Sequence, residues 1–136
     1  MRILGVDFGN KRTGLAISDE TATVAQPIGY VTGRVQEVLR VATERGAGKI
    51  VVGLPRRLDG TDSEQTERSR RFIAALQAAT TLPVESWDER LTSAQAERVL
   101  LEGNVRRAQR KEKRDQLAAT ILLQSYLDAQ AMKNEG

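Results

Sequence analysis

MRILGVDFGNKRTGLA, residues 1–16, is the stretch that decides the fold. From Ile3 to Phe8 the chain is a nearly continuous apolar run, which is typical of a short buried strand. Asp7 interrupts the end of this run, where an ionised carboxylate is costly to bury unless a cation or hydrogen-bond donors compensate it. The turn that follows, GNKRTG at 9–14, contains two glycines and two cations. An acid surrounded by cations at the mouth of a hairpin indicates a site for a metal and a phosphate.

Composition limits the chemistry that this chain can perform. Its 136 residues, 40% hydrophobic and 29% charged, fit one globular domain, expected over 1–132 and followed by a disordered tail at 133–136. The chain has no cysteine and no histidine, which excludes disulfides, thiolate zinc sites and imidazole catalysis. No apolar run is long enough for a membrane span and no signal-peptide pattern opens the chain, so we expect a cytoplasmic location without membrane partners.

Apolar patterning predicts the element order βββαβαβαα. Strands are predicted at 2–7, 13–18, 24–31, 49–54 and 84–87. Helices are predicted at 34–45, 93–102 and 115–132. A further helix is predicted to begin at a capping box, with Thr61 or Asp62 as the N-cap, and to end at about residue 79. Short connections make the first three strands an antiparallel meander, and the intervening helices make the later strands parallel to the first. The predicted fold class is therefore α/β, with a five-stranded mixed sheet covered by helices on both faces.

Acidic positions come together if this topology holds. Asp7 closes the first strand and the pair Asp88-Glu89 closes the fifth, both at the carboxyl edge where open α/β sheets bind ligands. Side chains alternate between the two faces of a strand, so only one acid of the pair is expected to face the site. Asp88 is the preferred site residue because it lies on the same face of the strand as residues 84 and 86. Asp115 begins a helical stripe whose two alanines, one turn later, allow a close approach to the sheet. Each acid also has an ordinary structural role, as a strand-end turn residue or as an acid at a helix N-terminus.

Converging carboxylates repel one another unless a cation joins them. A divalent ion that prefers oxygen ligands, Mg²⁺ or Mn²⁺, resolves this repulsion, and Asp7, Asp88 and Asp115 are the predicted metal ligands. Two such ions about 3.5–4 Å apart activate a water molecule and stabilise the leaving oxygen of a phosphodiester. Catalysis then needs no side-chain nucleophile, in agreement with the missing histidine and cysteine.

Cations are predicted to gather near the same edge. The chain has 21 Lys+Arg against 18 Asp+Glu, and six cations lie within the nine residues 106–114. A charge run is often only a solvated face, but its position near the acids favours contacts with a phosphate backbone. Aromatic residues are too sparse for a platform that stacks single-stranded bases. The predicted nucleic-acid-binding residues are Lys11, Arg12, Arg56, Arg57, Arg106, Arg107, Arg110, Lys111, Lys113 and Arg114.

Four stretches carry a resemblance to a known family. DFGNKRTG at 7–14, VVGLPRRLDGTDSEQ at 51–65, DERLTSAQA at 88–96 and KEKRDQLAATILLQSYL at 111–127 resemble the YqgF/RuvX family. Its members are described as Holliday junction resolvases and as nucleases that mature the small-subunit ribosomal RNA precursor. The resemblance implies an RNase H-like fold and a metal-dependent nuclease site at Asp7, the Asp88-Glu89 pair and Asp115. It leaves open which acid of the pair binds metal, and whether the substrate is structured RNA or branched DNA. Resolution of a junction requires two coordinated cuts and would imply a homodimer.

Two alternative functions compete with a nuclease. The opening strand, acid and glycine turn also occur in actin-like and sugar-kinase-like ATPases, but those proteins need a duplicated domain to enclose a nucleotide, and no Walker motif is present. The second alternative is a non-catalytic module that binds RNA or the ribosome. Asp7→Asn separates this module from a nuclease, because only a nuclease loses an activity while it retains binding.

Overall fold

The computed structural model describes residues 1–92 and 107–135, and it describes side chains for residues 1–92 and 117–134. Five strands form one mixed sheet in the order β3-β2-β1-β4-β5. Their bounds are β1 Arg2–Asp7, β2 Thr13–Ser18, β3 Ala25–Val31, β4 Ala47–Leu54 and β5 Val84–Asp88. β1 pairs antiparallel with β2 and parallel with β4, so the strand that carries Asp7 lies at the centre of the sheet. The α/β mixed sheet predicted from the sequence is confirmed.

Within residues 1–92 and 107–135, three helices cover the two faces of this sheet. Their bounds are α1 Val35–Glu44, α2 Glu64–Ala79 and α3 Arg107–Glu135, and a short 3-10 turn, Glu89–Leu91, follows β5. On one face α1 and α2 pack over a core that includes Leu4, Val6, Ile50 and Val52. On the other face α3 crosses β1, β2 and β3 and buries Leu123 against its own core. Residues next to each other on a strand therefore belong to different cores, as strand alternation requires.

The start of α2 differs from the predicted one. α2 begins after Ser63, whose hydroxyl accepts a hydrogen bond from the Thr66 amide. The Thr66 hydroxyl in turn accepts a hydrogen bond from the Ser63 amide. This capping box lies one to two residues later than the predicted caps, Thr61 and Asp62. Thr61 is instead held in the preceding loop by hydrogen bonds from its amide and hydroxyl to Asp59.

The last helix is longer than its apolar stripe indicates. α3 is described from Arg107, whereas the sequence predicts a basic stretch at 105–114 that leads into a helix from about 115 to 132. Arginine, lysine and glutamine have high intrinsic helix propensity, so a charged segment can extend a helix without an apolar face. The helix predicted at 93–102 lies outside the described residues. In the described part of the chain, none of the helices has the length and apolar character needed to cross a bilayer.

Candidate active site

The carboxyl edge of the central strands brings two of the predicted acids together. Asp7 is the last residue of β1, and Glu89 opens the 3-10 turn that follows β5. β4 lies between β1 and β5 and is parallel to both, so the three strands end at the same edge of the sheet. The Glu89 and Asp7 carboxyl groups are joined by a hydrogen bond. Two acids separated by about eighty positions in sequence thus share one local environment.

Strand register explains why Glu89, and not Asp88, meets Asp7. Gly5 of β1 and Val51 of β4 pair in register and lie on the α3 face, where Leu123 packs. Asp7 is two residues after Gly5 and therefore lies on the same face of the sheet. Glu89 lies beside Gly53, which is two residues after Val51 and also lies on this face. The sequence-based preference for Asp88 rested on the alternation within β5 alone, without the register to β4 that identifies the α3 face.

The environment of Glu89 favours its protonated form. Burial, the charge of Asp7, the hydrogen bond with Asp7 and the charge of Asp88, in this order of size, together raise the pKa of the Glu89 carboxyl to about 8. At neutral pH without a cation, most Glu89 carboxyls therefore hold a proton that lies between the two acids. A divalent cation with oxygen ligands can replace this proton, because it compensates both charges at once. The donor set at this position therefore fits a hard divalent cation.

Gly53 provides the space that Glu89 occupies. A Cβ atom built on Gly53 would lie 2.7 Å from Glu89 Oε1 and 3.0 Å from Leu122 Cδ2, so the Glu89 carboxylate would have to move from its place. The glycine within the otherwise apolar run of β4 therefore allows the Glu89 carboxylate to lie over the strand. Sequence reasoning did not single out Gly53, although an isolated glycine inside a buried strand is a signal of such a close approach.

Asp88 lies in a different electrostatic environment. Its carboxylate accepts hydrogen bonds from the Arg90 guanidinium, with Nη2 at 2.7 Å from Oδ2 and Nε at 3.1 Å from both oxygens. Arg56 Nη1 lies 3.8 Å from Oδ2 as a second cation. The hydrogen bonds from Arg90, followed by the positive charges of Arg90 and Arg56, hold the pKa of Asp88 below its usual range. Asp88 is thus an ionised acid whose charge is already compensated by arginines.

Asp115 is placed on α3 by its backbone, while its side chain lies outside the described residues. It precedes Ala119, which is buried against the sheet, by one helical turn. The close approach of α3 that the sequence predicts from its alanines is present, because the Ala119 carbonyl oxygen would lie 3.3 Å from a Cβ atom built on Gly5. Among the side chains that the structure describes, no group of three acids forms a cation site, so Asp115 remains the predicted third ligand.

The predicted cations divide into paired and solvent-facing residues. Lys11 and Arg12 are exposed in the turn after β1, and the Arg12 guanidinium lies 4.2 Å from the centre of the Tyr30 ring. Arg57 is exposed in the loop after β4, where its guanidinium lies 3.5 Å from the Thr61 hydroxyl. Arg56 is instead partly buried between two acids, 3.5 Å from Asp62 and 3.8 Å from Asp88. Arg106 and the side chains of 107–114 lie outside the described residues.

Arg68 is a cation near this edge that sequence reasoning missed. Its Nη1 atom donates a 2.9 Å hydrogen bond to Asn10 Oδ1 in the turn after β1. Gln65, one turn earlier on α2, donates to the Phe8 carbonyl oxygen at 3.2 Å. These two contacts tie α2 to the turn that carries Lys11. A helix that appears only amphipathic in sequence thus brings a cation to the turn after β1.

Solved structures with a similar fold define the fold class of this chain. RuvC from T. thermophilus, solved in complex with a Holliday junction substrate, is similar with a TM-score of 0.64 and 15% identity over 96% of each chain. The Holliday junction resolvase of fowlpox virus is similar with a TM-score of 0.56 and 19% identity, over 95% of this chain and 99% of that one. The chain therefore has the RNase H-like fold of these resolvases.

Sequence comparison identifies the family within this class. The RuvX family, described as Holliday junction resolvase, matches residues 1–129, and the chain belongs to it. Relatives named "Putative pre-16S rRNA nuclease" are 41% identical in Pelotomaculum thermopropionicum, over 96% of this chain and 88% of the relative, and 43% identical in Listeria monocytogenes, over 94% and 98%. The family resemblance based on the four sequence motifs is confirmed.

Proposed function

We propose that this protein is a nuclease that hydrolyses phosphodiester bonds with the help of a divalent cation bound at Asp7 and Glu89. As a member of the RuvX family, it is a hydrolase that acts on nucleic acid. The observation that carries the metal site is the hydrogen bond between the carboxyl groups of Asp7 and Glu89 at the carboxyl edge of the sheet. Two acids that approach this closely need a proton or a cation between them, and a nuclease site uses the cation.

Three acids are the proposed metal ligands. Asp7 and Glu89 supply oxygen atoms from the central strand and from the turn after β5, and Asp115 completes the set from the first half of α3. When bound, Mg²⁺ or Mn²⁺ lowers the pKa of a coordinated water and stabilises the leaving oxygen. The protein residues orient these ions, because the carboxylates stand on a buried strand, a hydrogen-bonded turn and a packed helix.

The cations are the proposed contacts to the substrate. Lys11, Arg12 and Arg57 face solvent at or near the edge that carries the acids, and Arg68 extends this surface along α2. Exposed arginine and lysine side chains bind phosphate oxygens without reading a base sequence. The cations of 106–114 are proposed to continue the same surface. Backbone recognition suits a nuclease that selects a structured substrate by its shape.

The substrate is proposed to be the precursor of small-subunit ribosomal RNA, with a branched DNA junction as the second candidate. The names of the relatives support the RNA substrate, and the family description supports the junction. Junction resolution would also need a homodimer with two sites, whereas trimming of an RNA end needs only one. A cytoplasmic location fits either substrate and stays a prediction.

A cleavage panel tests this function. Wild type, Asp7→Asn and Glu89→Gln are incubated with a ribosomal RNA precursor fragment, a four-way DNA junction, duplex DNA and single-stranded RNA, in Mg²⁺ and in Mn²⁺. We expect wild type to cut, and each variant to be slower by about 10³-fold or more, because a metal ligand acts in the transition state. Glu44→Gln is the matched control, since this exposed acid on α1 pairs only with Arg40 on the described surface.

Each outcome of the panel assigns a function. Cleavage by wild type and Glu44→Gln but not by the two site variants supports the metal-dependent nuclease, and the preferred substrate selects between RNA processing and junction resolution. Equal cleavage by all four proteins identifies a contaminant. Binding without cleavage by all four supports the non-catalytic RNA-binding module instead.

A further inference from the structure

Residues 88–90 form a closed hydrogen-bonded loop around Glu89. Asp88 Oδ1 accepts a hydrogen bond from the Arg90 amide at 2.9 Å, which caps the 3-10 turn. The same carboxylate binds the Arg90 guanidinium through three further contacts of 2.7 to 3.1 Å. Both neighbours of Glu89 are therefore fixed to each other by charge-assisted hydrogen bonds, which are the strong class of hydrogen bond. The backbone of Glu89 has little freedom between them.

A second layer holds this loop against the rest of the protein. The Arg90 guanidinium lies over Gly60, where an added Cβ atom would be 3.2 Å from Nη1, and Gly60 has a φ of +88° that favours glycine. Arg56 extends the contact, 3.8 Å from Asp88 and 3.5 Å from Asp62. The side chains of Asp88 and Arg90 are only 16% and 34% exposed, so solvent screens their interaction less than that of a surface pair. The turn after β5 is thus fixed to the loop after β4.

We infer that Asp88 and Arg90 form a clamp that positions Glu89 for metal binding, and that Asp88 is not itself a metal ligand. The Glu89 carboxylate lies over Gly53 on the α3 face, 2.7 Å from a Cβ atom built on that glycine, whereas the Asp88 carboxylate is bound to Arg90 at 2.7 Å. Loss of the clamp frees the peptide that carries Glu89, and a displacement of about 1 Å of a catalytic group costs about 100-fold in rate. This inference rests on the proposed metal-dependent nuclease.

The test compares the clamp variants with the ligand variant. Asp88→Asn, Arg90→Gln and their double mutant are measured beside Glu89→Gln for Mn²⁺ affinity by calorimetry and for kcat and KM with the cleaved substrate. Arg40→Gln is the control, because it removes an exposed arginine of an ion pair on α1. Thermal unfolding of each variant establishes that it is folded at the assay temperature, and Arg90→Lys, which keeps the charge without the planar fork, replaces any variant that does not fold.

The clamp predicts a distinctive pattern. Asp88→Asn and Arg90→Gln should each lower kcat by about 10- to 100-fold and weaken Mn²⁺ binding, with KM for nucleic acid unchanged. The double mutant should be no worse than the more damaging single mutant, since both remove one shared interaction. Arg90→Lys should recover part of kcat, and Glu89→Gln should lose nearly all activity.

Other patterns overturn the clamp. If Asp88→Asn loses all metal binding while Arg90→Gln binds as wild type, Asp88 is a ligand in its own right. If Arg90→Gln raises KM and leaves Mn²⁺ affinity unchanged, Arg90 contacts the substrate. The proposed nuclease function fails separately: a wild type that binds Mn²⁺ but cuts no nucleic acid removes the function, while the order of Mn²⁺ affinities still tests the clamp.

Discussion

Gly5→Ala tests how closely α3 must approach the sheet. Gly5 lies in β1, directly beneath the helix that also carries Asp115. A Cβ atom at this position would lie 2.8 Å from Leu123 Cβ and 3.3 Å from the Ala119 carbonyl oxygen. Neither atom is the free end of a flexible side chain, so the helix itself has to move. Carbon atoms in contact are separated by about 3.5–4.0 Å, so the helix must retreat by roughly 1 Å at this point.

This displacement has two measurable costs. Insertion of a methyl group into a packed core destabilises a protein by about 1–3 kcal/mol. For a chain of this size that corresponds to a fall in Tm of roughly 3–5 °C per kcal/mol. Asp115 lies one turn from Ala119 on the same helix and would be displaced with it. A misplacement of about 1 Å lowers the rate of cleavage by about 100-fold.

Gly14→Ala is the matched control for this experiment. Gly14 lies in β2 beneath the same helix, but its added Cβ atom would be 3.6 Å from the Ala119 Cβ, an ordinary contact. Calorimetric unfolding and single-turnover cleavage of the two variants should therefore differ, with Gly14→Ala close to wild type and Gly5→Ala impaired in both. If Gly5→Ala melts and cleaves like wild type, the close approach of α3 does not position Asp115, and the reasoning is refuted.

Three further predictions concern separate parts of the protein. Gly53→Ala should lower cleavage by about 10- to 100-fold and weaken Mn²⁺ binding measured by calorimetry, because its Cβ atom would be 2.7 Å from Glu89 Oε1. Hydrogen bonds, of which the one from the Thr21 side chain contributes most, lower the pKa of Asp19 from its usual 3.8 to about 2. The lowered pKa of Asp19 stabilises the folded protein at pH values above the pKa of Asp19 in the unfolded chain, and this stabilisation is lost as the pH falls through the pKa of Asp19 in the folded protein. Urea midpoints between pH 5 and 2 should therefore fall less steeply in Asp19→Asn than in wild type. Tyr126→Phe should cost about 1 kcal/mol in urea unfolding, because its hydroxyl donates a 2.9 Å hydrogen bond to the Glu85 carboxylate.

Much of the fold could be predicted because the strands are short and sharply bounded. β1 and β2 begin and end at the predicted residues, since a polar residue or a glycine turn limits each apolar run. The parallel pairing of β4 with β1 followed from the helix between them, which a parallel connection requires. These elements depend on local pattern and on chain connectivity, both of which the sequence contains.

The choice between Asp88 and Glu89 could not be made from the sequence for a physical reason. Alternation shows that the two side chains point to opposite faces, but it does not show which face α3 covers. That face is defined by the register of β5 on β4 and by the glycines that let α3 and Glu89 approach the sheet. Register is a relation between strands that are distant in sequence. The basic start of α3 was missed for a related reason, because a helix without an apolar stripe gives no periodic signal.

The two faces of the carboxyl edge differ in how their charges are compensated. On the α3 face, Glu89 meets Asp7 and its pKa is raised, since a hydrogen-bonded pair of carboxyl groups in a buried position does not readily accommodate two negative charges. On the opposite side of the turn, Asp88 meets Arg90 and Arg56 and remains ionised. A divalent cation gains most where negative charge is confined and not yet neutralised, which is between Asp7 and Glu89. For the proposed metal site, this difference in charge compensation favours Glu89 over Asp88 as the ligand, and Asp88, bound to its arginines, is proposed to hold Glu89 in place.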